Sequence, residues 1–183
     1  GENRLQDDNA TVSNLALVRG HIHGDVLHSR PVVINYNRLS AAVSGTSPPS
    51  SDRDVVVIYG ANDGFLHAIK GGRDASDGKE IWGYMAAEHM PKLKTLYATT
   101  PSILKKPDMY YFDGTITALT RDGNDDGRID NASTVNTSGV SDLAWIYATM
   151  RRGGRGIHAL DVTNVLDSDP TVAKPTLLWK KGC

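Results

Sequence analysis

Apolar positions in this chain fall into short runs with a two-residue or continuous pattern, and each run ends at a cluster of turn residues. Pro31–Tyr36 (PVVINY) is the first run that reads as a strand. A polar loop rich in Ser, Thr and Pro follows over residues 40–53. Asp54–Tyr59 (DVVVIY) is then a β-branched run, and Gly60-Ala61-Asn62-Asp63-Gly64 supplies residues that tolerate positive φ. Phe65–Ile69 (FLHAI) predicts a second strand. After the turn Gly78-Lys79-Glu80, Ile81–Tyr84 (IWGY) predicts a third, which completes an antiparallel meander.

The pattern returns later in the chain. Ala144–Met150 is a strand, Arg151–Gly156 (RRGGRG) is a glycine-rich turn, Ile157–Leu160 is its partner, and Leu177–Trp179 follows after a loop. FLHAI matches GIHAL, so His67 corresponds to His158, and Trp82 corresponds to Trp179. Repeated small meanders with a recurring aromatic suggest propeller blades that bury their faces against each other. A β-sandwich is the alternative architecture. Trp82 and Trp179 are expected in the core between blades, and the two histidines are expected to pack or hydrogen-bond rather than catalyse. Between the copies, Ala87–Ala98 predicts one or two helical turns interrupted near Pro91. Asp108–Leu119 predicts two short strands around Asp113-Gly114.

Directly after this pair comes Asp122-Gly123-Asn124-Asp125-Asp126-Gly127-Arg128-Ile129-Asp130. Counted from Asp122, oxygen-bearing side chains stand at the first, third and fifth positions: Asp122, Asn124 and Asp126. Gly127 stands where such a loop must turn, Arg128 offers its backbone carbonyl, Ile129 is an apolar anchor and Asp130 ends the run. This is the first part of an EF-hand calcium loop. Ca²⁺ is hard and takes about six to eight oxygens, which alternate residues of a curled backbone supply. Mg²⁺ suits the set less well because it holds water tightly. The EF-hand's closing Glu is replaced by Ser133, and no helices flank the loop. The expectation is therefore a structural Ca²⁺ site set among strands, over residues 122–130, with Asp130 closing it.

Composition narrows the remaining options. The net charge is −1, from 20 basic and 21 acidic residues, which lacks the basic excess of a nucleic-acid binder. No apolar run reaches the length of a membrane span. The single Cys183 is the last residue and forms no disulfide within the chain. The sequence starts without Met and reads as a piece of a larger protein. His21, His23 and His28 with Asp25 could hold zinc, but ordinary polar contacts explain them better. Arg151, Arg152 and Arg155 could hold an anion, although a solvated hairpin tip is the plainer reading. No GxSxG elbow, no P-loop and no triad spacing is present.

The segments GDVLHSRPVV, VVVIYGANDGFLHAI, YYFDG, DGNDDGRID and GGRGIHALDVTN together resemble the C-terminal β-propeller of the PilY1 family, proteins of type IV pilus assembly. That resemblance implies an all-β fold in which residues 1–183 form part of one quinoprotein-like propeller with an inserted EF-hand-like calcium loop. It implies Ca²⁺ ligands at Asp122, Asn124, Asp126, Asp130 and the Arg128 carbonyl. It also implies a non-enzymatic role in pilus extension, twitching motility and adhesion, at the cell surface on the outer-membrane side of a Gram-negative bacterium. Pilins or minor pilins, host-surface or glycan ligands, and the rest of a larger protein are the implied partners. A calcium-stabilised glycan- or protein-binding module without a pilus role is the alternative. A quinoprotein-like dehydrogenase is the more distant one, since the adjacent-cysteine pair of those enzymes is absent.

Overall fold

The computed structural model describes residues 24–37, 54–72, 77–92, 110–129 and 139–182. Those residues form two four-stranded antiparallel sheets, each in simple sequence order. The first sheet holds β1 (Val32–Asn35), β2 (Val55–Gly60), β3 (Phe65–Gly71) and β4 (Glu80–Met85). The second holds β5 (Ile116–Arg121), β6 (Leu143–Thr149), β7 (Gly156–Asp161) and β8 (Thr176–Gly182). Each predicted three-stranded meander thus gains a first strand, because β1 pairs with β2 and β5 pairs with β6.

The two sheets repeat one another down to their irregularities. Ala68 lies opposite Trp82 and Ala159 lies opposite Trp179, and in each pairing the register slips just after the alanine. A bulge at the same place in both copies adds twist to the last pair of strands. His67 and His158 take the same position, one residue before that alanine.

One apolar cluster joins the sheets. The face of the first sheet carrying Ile34, Val56, Ile58, Ala68 and Trp82 packs against Ile116, Ala144, Ile146, Ala148 and Leu160 of the second. Strand-to-strand contact is made mainly by the first strand of each, β1 against β5. Polar bonds cross the same boundary. The Tyr36 hydroxyl donates to the Val162 carbonyl at 2.6 Å, and the Tyr84 hydroxyl lies 2.9 Å from His158 Nδ1. Burial followed by the nearby Asp161 charge raises the Tyr36 pKa, so it stays a donor.

Two expectations require correction. Of the first strand expected in Asp108–Leu119, the described residues 110–113 form none; residues 110–115 run irregularly into β5. Tyr111, Phe112 and Asp113 are nonetheless fully buried. They serve as a wedge, with the Phe112 ring against Tyr84, His89 and His158, and pair with no strand among the described residues. The second correction concerns Trp179. Trp82 is 8% exposed beneath the second sheet, whereas Trp179 is 41% exposed, with its ring tilted against that of Tyr147. Its face has no sheet over it among the described residues. The predicted turn after Ala87 appears as a 3-10 turn, Ala87–His89. No helix among the described residues is long and apolar enough to cross a membrane.

Candidate metal centre

The Asp122–Asp130 loop leaves β5 at Arg121 and occupies the connection between β5 and β6. In the first sheet the corresponding connection runs from β1 to β2. The loop therefore sits between the first two strands of its sheet, and it reaches back to the other one. Arg128 forms an antiparallel bridge with Asn37, just beyond the end of β1, and the Ile129 N–H donates to the Tyr36 carbonyl at 2.8 Å. Ile129 is 2% exposed within the shared core, so it anchors the loop as its apolar position implied.

Inside the loop the side chains of Asp122, Asn124 and Asp126 turn back on the backbone. The Gly127 N–H donates to Asp122 Oδ2 at 2.9 Å, the Asp126 N–H to Asn124 Oδ1 at 3.1 Å, and the Arg128 N–H to Asp126 Oδ1 at 2.8 Å. The Asn124 amide donates to Asp126 Oδ2 at 2.9 Å. These bonds tie the side chains of Asp122, Asn124 and Asp126 to the loop's own backbone. Gly127 has φ +81, a conformation that favours glycine, and Asp125 has φ +59 beside it. The sharp turn falls where the sequence pattern required it.

One atom stands out. Asp122 Oδ1 is buried and has no hydrogen-bond partner. A buried carboxylate oxygen left unsatisfied costs roughly 1–3 kcal/mol or more, which a cation would offset. The donor set is all oxygen, as a hard cation needs. Among the described residues no three His, Cys, Asp or Glu side chains converge as a metal cluster. Of the predicted ligands, Asn124 and the Arg128 carbonyl are of other kinds, and Asp130 lies outside the described residues.

A supporting residue escaped the sequence reading. Asp142, 1% exposed at the start of β6, accepts the Gly123 N–H at 2.7 Å. Gly123 itself lies so close to the backbone at Val140 and Ser141 that an added Cβ would sit 2.6 Å from Ser141. The second loop position must be glycine, and Asp142 fixes its peptide. Nothing in the local pattern of SDLAW marks that aspartate, because its partner lies across the loop.

The other candidates resolve into structural roles. His28 Nδ1 lies 2.9 Å from Asp113 Oδ1, which ties the segment before β1 to the wedge; His21 and His23 lie outside the described residues. His67 is buried between Asp63 and Glu80, at 2.9 and 2.8 Å. Burial opposes its protonation, but the two carboxylates outweigh this and raise its pKa. His158 is held at Nε2 by Glu88 Oε1 at 2.9 Å. Of the three turn arginines, Arg151 approaches Asp113 at 3.8 Å and Arg152 reaches the Tyr110 hydroxyl at 3.2 Å.

Against known proteins, the chain is 32% identical over 195 aligned residues to a type IV pilus biogenesis factor PilY1 homolog of Xylella fastidiosa, covering 98% of this chain and 13% of that protein. It is 27% identical over 177 residues to type IV pilus biogenesis factor PilY1 of Pseudomonas aeruginosa, covering 90% of the chain and 12% of that protein. The chain thus spans about an eighth of the length of these relatives. No family model and no solved structure matches it.

Proposed function

The chain belongs to the PilY1 family, and from that premise we propose that it is a Ca²⁺-binding, non-enzymatic segment of a type IV pilus biogenesis protein. Asp122, Asn124, Asp126 and Asp130 would bind the ion through side chains and Arg128 through its carbonyl. The observation that carries this reading is the buried, unpartnered Asp122 Oδ1 inside a loop whose side-chain oxygens otherwise accept from the loop's own N–H groups. A bound ion would supply charge neutralisation and rigidity. The chain's own residues carry that rigidity onward: Ile129 and the Arg128–Asn37 bridge couple the loop to the end of β1. Ca²⁺ would in this way fix the first sheet against the second, which is how a local ion would govern the conformation that supports pilus extension, twitching motility and adhesion at the cell surface. Pilins or minor pilins are the proposed partners.

The finer architecture in this proposal is a propeller. Two features support it over a sandwich. The sheets pack by unlike faces, since the face of the first that carries Trp82 is covered, while the equivalent face of the second, carrying Trp179, is turned away. Such a head-to-tail contact can repeat, and it closes into a ring when the rotation allows. The contact also runs through the first strand of each sheet, as it does around a propeller axis.

Calorimetric titration with Ca²⁺ of the wild type and Asp126→Ala tests the ion. Identical curves would sink the calcium claim. Surface piliation and twitching of cells carrying the same variant test the consequence separately, and unchanged motility despite lost binding would detach calcium from pilus function.

A further inference from the structure

A cleft of about 470 Å³ opens at one end of the boundary between the sheets, where the 3-10 turn Ala87–His89 faces the β6–β7 turn and the end of β8. We propose that this cleft binds an oxyanion of the phosphate or sulfate type, free or as the terminal group of a sugar, held by Lys92, Arg155, Lys180 and Lys181.

In a chain of net charge −1, four cationic side chains line this one cleft against the single carboxylate of Glu88. That carboxylate is already engaged. His158 Nε2 donates to one of its oxygens at 2.9 Å and Lys180 Nζ to the other at 3.3 Å. Burial works against its ionisation, but bonds from its own backbone N–H, His158 and Lys180 outweigh this and hold its pKa at about 2. Glu88 therefore pairs with Lys180 and leaves the other cations unmatched. Lys92 is pinned by neutral groups: its ammonium donates to the Gly153 carbonyl at 3.0 Å and lies 5.7 Å from the Tyr111 ring centroid. Arg155 and Lys181 are exposed and form no ion pair among the described residues. Like charges gathered without counter-charge repel one another, and an anion between them relieves that repulsion.

A second, independent feature points into the same cleft. His89 lines it, is 1% exposed, and neither ring nitrogen makes a hydrogen bond. The Gly64 carbonyl lies toward the ring without reaching hydrogen-bond geometry. Its ring packs edge-on to Tyr111 and Phe112. Burial first, and then the Lys92 charge, depress its pKa to about 4. At neutral pH it is thus an uncharged imidazole that forms the buried wall behind the cations, and it adds no charge to compete with them for an anion. The arginine-rich turn also divides here: Arg151 and Arg152 are taken up elsewhere, and Arg155 is the one on the cleft. Charge-assisted bonds of this kind suit a tetrahedral oxyanion, and the volume leaves room for a sugar attached to it.

No residue of the Asp122–Asp130 loop lines the cleft, so this proposal stands or falls apart from the calcium reading. The test is calorimetric titration of the full-length protein with sodium sulfate and with glucose 6-phosphate, at fixed ionic strength. Saturable uptake of one or both is expected, and tighter binding of the sugar phosphate than of sulfate would assign the group to a saccharide. Arg155→Ala and Lys181→Ala, both at exposed positions that leave folding intact, should each weaken binding by roughly fivefold. Lys174→Ala, at an exposed loop position outside the cleft, should not. Absence of saturable uptake, or equal affinity in all three variants, overturns the proposal.

Discussion

The two sheets share strand order, register and the bulge after the third-strand alanine, and they differ in what covers them. Ile58 and Trp82 of the first sheet lie under the second, while Tyr147 and Trp179, at the same positions of the second, face outward. Burial here belongs to the neighbour and not to the residue. The same register opposite a third-strand alanine makes a core tryptophan in one copy and a half-exposed one in the other. The histidines teach the same lesson. His67 finds both its partners, Asp63 and Glu80, within its own sheet. His158 finds Tyr84 and Glu88 from the preceding sheet and its following turn.

The largest effect expected from this difference is at the tryptophans. In the 183-residue chain, Trp82→Ala should cost about 3–5 kcal/mol in urea unfolding, as a buried aromatic does. Trp179→Ala should cost under about 1 kcal/mol there, as surface changes do. In the full-length protein the two values should converge if another sheet stacks on Trp179. A Trp179 variant that remains harmless in the full-length protein would break the head-to-tail repeat and return the fold to a two-sheet sandwich.

The connections between first and second strands differ as well, and the loop on the second sheet is the one proposed to hold Ca²⁺. At Ca²⁺ about 100-fold above its dissociation constant, the ion should add about 2.7 kcal/mol to stability. Chelation should remove that increment in the wild type and leave Asp122→Ala unmoved. Hydrogen exchange sharpens the comparison: on chelation, protection should fall at Ile129, whose N–H is bonded to Tyr36, and hold in β2–β3. Next in size is Asp142→Ala, which strips the Gly123 N–H of its buried acceptor and should cost about 1–3 kcal/mol. It should also weaken Ca²⁺ binding, although Asp142 is not among the proposed ligands.

Much of this was legible in the chain. The strands β2, β3, β4, β6 and β7 follow from β-branched runs closed by Gly, Asn and Asp, and FLHAI against GIHAL foretold the repeat. The turn at Gly127 and the anchor at Ile129 followed from the loop's spacing. What escaped depends on contacts distant in sequence. Tyr110–Asp113 has a strand's composition but fills a gap between sheets. Asp142 looks like any strand-leading aspartate until Gly123 is seen beneath it. The exposure of Trp179 could not be read from a motif that gives Trp82 the opposite environment.

The smallest effect expected is read at His67 through pH. His67 lies between two carboxylates, and its folded pKa is raised above the unfolded value. The stability it contributes is fully present below about pH 6.5 and is lost as pH rises through the folded pKa. Asp63 works in the opposite direction. Burial disfavours its charge, but bonds from His67 and from the Gly24 and Phe65 N–H groups lower its pKa. Its contribution is present above the unfolded carboxylate value and fades as pH falls through the depressed one. The pair is therefore intact between those two limits, and unfolding free energy measured against pH should show a plateau that declines on both flanks. His67→Gln should keep a donor for one carboxylate and flatten the alkaline flank, and by removing the charge that helps lower the Asp63 pKa it should also shrink the acid decline. If the alkaline decline survives that substitution unchanged, the titrating group is not His67.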